Sequence, residues 1–382
     1  MRILHIVDFY YPKLGGLEIA VQRLAEEQVK LGHEVKVITS DIGASDRLRE
    51  EVINEVEVIR VRSTKLLYDD LTIPLEKPPL VKDVDVIHVH TQNSLFCLKI
   101  AQYAKKLGKP LIYQFIAVDY TKEDLRPAIK ILGSLYQELI QRKAISLANK
   151  VITLNYRDYY LVWRKFNIKP YVVPHGIDER YLKKPKDEHV FKEKHKINTE
   201  NVVSYVGRLH PSKGIDVLIR AIPPIMREVD DFVVVIAGRG SRFYEERLVK
   251  LAKRLGVEHK VKFLGYVSED EKISLLDSSK ILVLPTRHFG EAYPLIIDEA
   301  YARGVPVIAT RIGALPYRVR HMETGLLIPP VDPLSLAKSI VVLTKNRGLF
   351  TRIRENLLRV RESILTWRHV CEKLDKIYGA KN

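Results

Sequence analysis

The chain has 382 residues, 46% of them hydrophobic, and a formal charge of +16 at pH 7. This length suits two domains rather than one core, and no apolar run approaches the roughly 18 to 20 residues that span a bilayer. With only Cys97 and Cys371, and no long apolar stretch at the N-terminus, we expect a soluble or peripheral protein of a reducing compartment rather than a secreted, disulfide-bonded one.

The positive charge is unevenly distributed along the chain. Residues 1–100 carry 13 Lys/Arg against 16 Asp/Glu, residues 101–176 carry 13 against 5, and residues 177–382 carry 37 against 26. Such an excess fits either a solvated face or an anionic partner: nucleic acid, anionic lipid or a phosphorylated substrate. The cations are spread out rather than clustered with stacking aromatic residues, which argues against nucleic acid.

Short apolar runs rich in β-branched residues alternate with helical patterns through both halves of the chain, which predicts parallel strands covered on both faces. The runs are residues 2–7, 34–39, 56–62, 84–90, 111–116, 150–155, 201–207, 232–238, 260–265, 281–286, 306–310 and 324–329. The predicted fold class is therefore α/β, with two doubly wound Rossmann-like domains. Residues 171–189 combine Pro, Gly and charged residues, as a linker should, and the cleft between the domains is the expected ligand site.

The first loop of interest follows the first predicted strand. Gly15 and Gly16 precede a predicted helix that starts near Leu17. Glycines allow close approach of the backbone to a ligand, and a helix N-terminus favours an anion. The signal is weaker than a full glycine-rich motif, so a tight turn without a ligand is the alternative.

Two loops in the second half carry stronger signals. Arg208 follows a predicted strand and Lys213 precedes the next helix, which suits a diphosphate because Arg can fork two oxygens and Lys adds a point charge. Two solvated surface cations are the alternative. Gly240 follows the next predicted strand, and Tyr266 and Val267 are predicted to be exposed where a further strand ends, as a face for a nucleobase.

The stretch "RHFGEAYPLIIDEAYARGVPVIAT" places Glu291 before a predicted helix and Glu299 about one turn inside it. Pro294 fits the first turn, and Gly304 stops the helix. Carboxylates suit vicinal hydroxyls, and amides near Leu295 could cap a phosphate. The alternative is that Glu291 ends a loop and Glu299 faces solvent.

This stretch resembles the E-x7-E motif of retaining family-4 glycosyltransferases with the GT-B fold. The resemblance extends through "YPKLGG", "LGHEVKVIT", "DVIHVH", "VVPHGID", "VGRLHPSKG", "AGRG" and "TWRHVCEKLDKIY". It implies an acceptor-side domain over residues 1–176 and a donor-binding domain over 177–362, facing a central cleft. It also implies that a last helix, about residues 363–382, packs back on the first domain.

The resemblance implies roles for individual residues. Arg208 and Lys213 would bind the donor diphosphate, Glu299 the ribose, and Glu291 the transferred sugar. The catalytic set would be Glu291, Arg208 and Lys213. Further implied donor contacts come from Gly15, Gly16, Gly240, Tyr266, Val267 and the amides of Tyr293 and Leu295. His90 and Asp119 would lie on the acceptor side.

Two positions depart from the family pattern. Ile116 stands where many members have a histidine after the fifth strand, while Asp119 still matches the pattern. The missing histidine implies a change in catalysis or in the choice of donor, and a shifted register of the loop is the alternative. Pro294 stands where many members have glycine, and a proline removes one N–H donor.

The implied reaction transfers a hexose-type sugar from a nucleotide-diphosphate sugar to an acceptor hydroxyl with retention of configuration. Fixed cations would stabilise the leaving diphosphate, so we expect neither a metal nor another cofactor. A nucleotide-sugar epimerase of the same architecture and a non-catalytic nucleotide-sugar-binding scaffold are the alternatives. The base, sugar, acceptor, linkage and oligomeric state are open.

The basic segment 120–150 bears on the acceptor. It includes Ile129, Leu132, Leu135, Leu139 and Ile140. It reads either as an amphipathic helix packed on the sheet or as a surface that contacts an anionic membrane. The second reading favours a lipid-linked or polysaccharide acceptor at the inner face of the membrane; otherwise we expect a cytoplasmic enzyme with a small sugar or phosphate acceptor.

Overall fold

A computed structural model describes residues 1–13, 15–44, 46–66, 71–79, 81, 83–124, 126–183 and 188–379, apart from the side chains of 188 and 189. Leu14 of the "YPKLGG" loop, residue 125 of the basic segment and residues 184–187 of the predicted linker lie outside these ranges. The chain divides into two compact units. The first comprises Met1–Gly176 and Leu365–Asn382, and the second comprises Ile177–Ile364.

An eight-stranded sheet forms the centre of the first unit. Its strands and the neighbouring two-stranded ribbon are β1 (Arg2–Ile6), β2 (Glu34–Ser40), β3 (Glu50–Ile53), β4 (Val56–Val61), β5 (Ser63–Lys65), β6 (Thr72–Pro74), β7 (Val86–Val89), β8 (Leu111–Phe115), β9 (Lys150–Thr153) and β10 (Tyr171–Val172). The sheet order is β10-β9-β8-β7-β1-β2-β4-β3, and only the edge strand β3 pairs antiparallel; β5 and β6 form the ribbon. The helices of the unit's N-terminal part are α1 (Gly16–Lys30), α2 (Leu95–Ala104), α3 (Ser134–Leu147) and α4 (Tyr156–Phe166).

The second unit contains a parallel sheet of six strands. These are β11 (Val202–Val206), β12 (Val233–Ala237), β13 (Val261–Gly265), β14 (Ile281–Leu284), β15 (Val307–Thr310) and β16 (Gly325–Ile328), in the order β13-β12-β11-β14-β15-β16. Its helices are α5 (Glu188–Lys194), α6 (Ile215–Met226), α7 (Arg242–Arg254), α8 (Glu269–Asp277), α9 (Leu295–Ala302), α10 (Leu315–Arg318), α11 (Pro333–Lys345) and α12 (Arg347–Arg361). A last helix, α13 (Trp367–Tyr378), packs against α1 in the first unit.

Each predicted apolar run contains a strand, which confirms the predicted α/β fold class. Strand β3 was not predicted, because its alternating pattern at an exposed edge is short and charged. It forms a hairpin with β4 across Asn54 and Glu55, both at positive φ. The predicted linker starts too early, since Tyr171–Val172 forms strand β10 in the first sheet.

Strand order decides where loops meet. In the second sheet, β11 lies between β12 and β14, so the order reverses there. The loops that leave β11 and β14 at their carboxyl ends are therefore neighbours at a topological switch point, where α/β sheets bind ligands. In the first sheet, β1 holds the same position between β2 and β7.

Within the described ranges, no helix combines the length and apolar character that crossing a bilayer requires.

Candidate active site

The loops after β11 and β14 are in direct contact in the second unit. The amide of Arg287 donates to the carbonyl of Ser212 over 2.8 Å, and the hydroxyl of Thr286 donates to the same carbonyl over 3.1 Å. Gly214 lies between them with φ +70°, and a Cβ there would meet the carbonyl oxygen of Pro285 at 1.9 Å. Glycine is therefore required where the two loops touch.

An ion pair joins Lys213 on the first of these loops to Glu291 on the second. Thr286 also donates to the same Glu291 oxygen over 3.1 Å. The Glu291 side chain is 11% exposed and that of Lys213 is 25% exposed. Burial opposes ionisation of Glu291, but the Lys213 ammonium and the two hydrogen bonds outweigh it, so the pKa of Glu291 is lowered. Glu291 is therefore a fixed carboxylate near neutral pH.

Arg208 adds a second cation on the β11 loop. Its side chain is exposed, and its carbonyl accepts a hydrogen bond of 3.0 Å from the Tyr205 hydroxyl. Burial lowers the pKa of His210, and the charges of Arg208 and Lys213 lower it further. The loop thus holds two cations close enough to act on one side chain, as a diphosphate site requires.

Glu299, the second predicted glutamate, is buried in α9 rather than facing solvent. Its oxygens lie 3.0 and 2.9 Å from the ammonium of Lys272 on α8. Burial raises the pKa of Glu299, and the nearby Glu269 carboxylate adds to the rise against the opposing Lys272 charge. Lys272 itself is kept charged: its pKa is raised because the two carboxylates outweigh its desolvation.

Sequence reasoning missed Lys272 and Thr286. A lysine among acidic residues at the start of a helix normally indicates a solvated face, so no sequence pattern predicted that Lys272 faces Glu299. Thr286 carried a weak signal, because it directly follows β14 at the switch point.

Helix α9 begins at Leu295, with Pro294 as its N-cap at φ −65° rather than inside the first turn as predicted. No side chain of the described residues caps the helix, and first-turn amides have no partner within a helix. The preceding Tyr293 is held firmly: its hydroxyl donates to Asp298 over 2.6 Å, and the Arg318 guanidinium lies 3.7 Å over its ring. The amides near Leu295 are therefore presented by a rigid turn.

Three further residues of the second unit were predicted to contact the donor, namely Gly240, Tyr266 and Val267. The amide of Gly240 donates to the Glu245 carboxylate over 2.7 Å, and a Cβ on Gly240 would lie 2.0 Å from the Leu209 carbonyl oxygen. Tyr266 is 68% exposed, as predicted. The prediction of an exposed Val267 is wrong, because its side chain is half-buried and packs against the hydrophobic cluster that contains Val233 and Val235 of β12.

In the first unit, Gly15 is the N-cap of α1 and Gly16 its first residue. No side-chain cap is found for α1 among the described residues. Gly16 is exposed, and the space where its Cβ would lie is open. The Glu18 carboxylate lies beside the neighbouring Gly15, and the contact of this N-terminus with an anion stays a prediction.

His90 is buried, at 1% exposure, and its predicted place on the acceptor side stays a prediction. It belongs to a buried histidine cluster formed by His5, His88 and His90, whose ligand atoms lie within 4.8 Å of one another. His5 bonds His90 over 2.8 Å and Gln28 over 2.6 Å, and His88 bonds the hydroxyl of Tyr378 on α13 over 2.6 Å. Two strands with inward histidines in register produce this cluster.

Burial lowers the pKa of all three rings, that of His5 to about 4. The cluster is therefore neutral near pH 7. Because the Gln28 amide oxygen accepts from His5 Nε2, the Nδ1 of His5 must accept from His90. These bonds tie β1, β7 and α13 together.

Asp119, the other residue predicted on the acceptor side, is 8% exposed. It accepts from Lys122 over 2.6 Å and from Lys165 over 2.8 Å. Burial opposes ionisation, but the two lysines prevail and the pKa of Asp119 is lowered.

Ile116 lies at the start of the same loop, and its backbone is locked by Gln92, which accepts from its amide and donates to its carbonyl over 2.8 Å each. The next residue, Ala117, has φ +49°.

The chain matches known sequences over nearly its whole length. The profile of the group 1 glycosyl transferases matches residues 187–359, and that of the Glycosyltransferase Family 4 matches residues 14–181. An uncharacterized glycosyltransferase of Methanocaldococcus jannaschii is 30% identical over 99% of this chain and 98% of its own length. The chain belongs to the family-4 glycosyltransferases.

Other members and solved structures agree with this assignment. The phosphatidyl-myo-inositol mannosyltransferase of Mycobacterium leprae is 27% identical over 92% of this glycosyltransferase and 90% of its own length. Sucrose-phosphate synthase from Thermosynechococcus elongatus superposes with a TM-score of 0.78 at 20% identity, covering 99% and 98% of the two chains. Anabaena HepE with UDP and glucose superposes with a TM-score of 0.76 at 18% identity, covering 99% of each chain. The predicted GT-B fold class is confirmed.

Proposed function

We propose that this glycosyltransferase moves a hexose from a nucleoside-diphosphate sugar to an acceptor hydroxyl with retention of configuration. The observation that carries the proposal is the Lys213–Glu291 ion pair at the switch point of the second sheet, with Arg208 on the same loop. A cation pair beside a fixed carboxylate suits a donor that is anionic at one end and rich in hydroxyls at the other.

The diphosphate leaves with growing negative charge in the transition state. Arg208 and Lys213 would stabilise that charge with donors that are already in place, and such preorganised stabilisation is usually the largest single contribution to catalysis. With these groups in place we expect no requirement for a metal.

Glu291 would orient the sugar. Its carboxylate is ionised and held by Lys213 and Thr286, so its remaining lone pairs can accept from sugar hydroxyls. Glu299 would accept from the ribose hydroxyls while Lys272 keeps the charge of the pair balanced. The departing phosphate would take the proton of the acceptor hydroxyl, since retention needs no separate protein base in this arrangement.

We further propose that the acceptor is attached to a lipid at an anionic membrane. One face of the segment around α3 carries Ile131, Leu132, Leu135 and Leu139, which are 55–69% exposed and are called the aliphatic face below. The opposite face of the same helix packs inward through buried residues that include Ile140 and Ala144. The exposed Lys130 and Lys143 flank the aliphatic face and have no ion-pair partner within the described residues. Apolar side chains between lysines suit an anionic membrane surface.

The test of the transferase is a set of thermal-shift titrations with UDP, GDP, ADP and dTDP and their sugars. A ligand at 100 times its Kd should stabilise the protein by about 2.7 kcal/mol. The shift should disappear in Lys213→Ala and persist in Lys345→Ala, which breaks an exposed ion pair elsewhere in the second unit. If no nucleotide shifts the wild type, the donor site is misassigned.

Product analysis separates the remaining candidates. Transfer to an acceptor with retained anomeric configuration supports the proposal. An epimeric nucleotide sugar formed without an acceptor identifies an epimerase. Donor binding with neither product identifies a binding scaffold, the outcome that Ile116 in the histidine position would then explain.

A further inference from the structure

A basic cavity lies on the second unit between α6 and α7. Its volume is about 470 Å³, within the range of small-molecule sites. Neither Lys213 nor Glu291 lines it, so it is separate from the candidate active site. It borders that site through Pro211, at the start of the turn that carries Lys213, and through Arg287, on the loop that carries Glu291.

The lining combines five cationic and two acidic side chains. Both acids already have partners. Asp216 accepts from Arg287 over 2.8 and 3.0 Å, and Glu246 accepts from Arg242 over 2.9 Å. The internal ion pairs therefore do not neutralise the rest of the lining.

Four cations remain without an ion pair among the described residues: Arg220, Arg247, Lys250 and Arg254. The last three follow one another at three- and four-residue intervals along α7, and so lie on one face of the helix. Like charges at this spacing repel one another. They are tolerated at little cost when a bound anion satisfies them.

A buried hydroxyl in the lining is also unsatisfied. Tyr244 is 6% exposed, and its hydroxyl makes no hydrogen bond within the described part of the chain. An unpaired buried hydroxyl is costly to a fold unless a ligand or water completes it. Beside it, Phe243 is 77% exposed and offers a flat apolar surface at the rim.

We propose that this cavity binds a phosphorylated small molecule at a second site, apart from the nucleotide sugar. The phosphate groups would pair with Arg247, Lys250 and Arg254 and accept a hydrogen bond from Tyr244, while Phe243 covers the body of the ligand. Phosphate fits better than a single carboxylate because three cations and one donor converge on the site, and a phosphate group offers three acceptor oxygens.

The test uses isothermal titration of the full-length protein with inorganic tripolyphosphate, at physiological salt and with excess UDP present to occupy the donor site. The variant Arg247→Gln, Lys250→Gln, Arg254→Gln should bind at least about 100-fold more weakly, since each charged hydrogen bond is worth about tenfold or more. The matched control, Lys338→Gln, Arg352→Gln, Arg359→Gln, removes the same charge from exposed positions of α11 and α12. It should bind as the wild type does.

Tyr244→Phe distinguishes a built site from diffuse attraction. Because the hydroxyl is unpaired in the free protein, this variant should melt at the same temperature as the wild type or higher. It should nevertheless bind tripolyphosphate about tenfold more weakly. Equal weakening in the two triple variants, or unchanged binding in either the cavity triple variant or Tyr244→Phe, would overturn the proposal.

Discussion

Replacing Lys213 by alanine removes the charge that keeps Glu291 ionised inside the second unit. The carboxylate would be left 11% exposed, with the Thr286 hydroxyl as its one remaining hydrogen-bond partner among the described residues. Removal of one member of a buried ion pair costs 3–5 kcal/mol, and the lower end applies because a quarter of the Lys213 side chain is in solvent. We expect a loss of about 3 kcal/mol, or roughly 6–12 °C in melting temperature for a unit of this size.

The loss should depend on pH in a definite direction. Without Lys213, burial is the largest influence on the pKa of Glu291, ahead of His288 and the Thr286 hydrogen bond, which both lower it, so we expect that pKa to rise above its unfolded value. The variant then binds a proton more tightly when folded, so its deficit relative to the wild type should shrink as pH falls from 7 towards 5. In the wild type the pKa of Glu291 is lowered, and the stability contributed by the pair is lost only as pH falls through that lowered value.

Circular dichroism melts of Lys213→Ala, Glu291→Gln and the double variant at pH 7 and pH 5 provide the assay. The double variant should recover most of the loss at pH 7, because no buried charge is then left alone. The reasoning is refuted if Lys213→Ala melts within about 0.5 kcal/mol of the wild type, or if adding Glu291→Gln lowers its stability further.

Three other predictions concern separate parts of the molecule. The histidine cluster should make the first unit acid-sensitive, because the pKa of His5 is about 4 in the folded protein against 6.5 in the unfolded chain. This difference corresponds to roughly 3 kcal/mol of stability, which is present above pH 6.5 and lost as pH falls towards 4. The variant His5→Gln should therefore flatten the pH dependence of the melting temperature between these two pH values. The variant Leu135→Glu on the aliphatic face should reduce cosedimentation with anionic liposomes at low salt. The control Leu358→Glu, which changes an equally exposed leucine on α12, should leave cosedimentation unchanged. Equal binding by both variants would remove the case for a membrane-bound acceptor. Excess EDTA should leave sugar transfer unchanged, whereas a loss of activity restored by Mg²⁺ or Mn²⁺ would show that the fixed cations do not suffice.

The apolar runs predicted the two sheets well because parallel strands are buried on both faces and so are continuous in hydrophobicity. The edge strand β3 escaped prediction for the converse reason, since half of its residues face solvent. The two-residue strand β10 escaped because its single neighbour, β9, rather than its own sequence, keeps it extended.

For the site, the loop positions of Lys213 and Glu291 were predictable from where strands end. Their pairing depends on the strand order, which brings β11 beside β14. The inward turn of His90 also depends on that order: the register of β1 and β7 places His5 opposite His88, and no local pattern in "DVIHVH" reveals it. The role of Lys272 as the partner of Glu299 depends on the folded unit, in which this ion pair joins α8 to α9.

Helix α13 is made from the final part of the chain, yet it belongs to the first unit, where Tyr378 bonds His88 and the helix covers α1. During synthesis the ribosome therefore completes the second unit, Ile177–Ile364, as one uninterrupted stretch before the first unit has all of its parts. Until Tyr378 emerges, the nascent first unit exposes the surface of α1 that α13 will cover. Deletion of α13 would leave every donor-side residue of the second unit intact and still damage the first unit, so it should reproduce the effect of a lesion near the N-terminus.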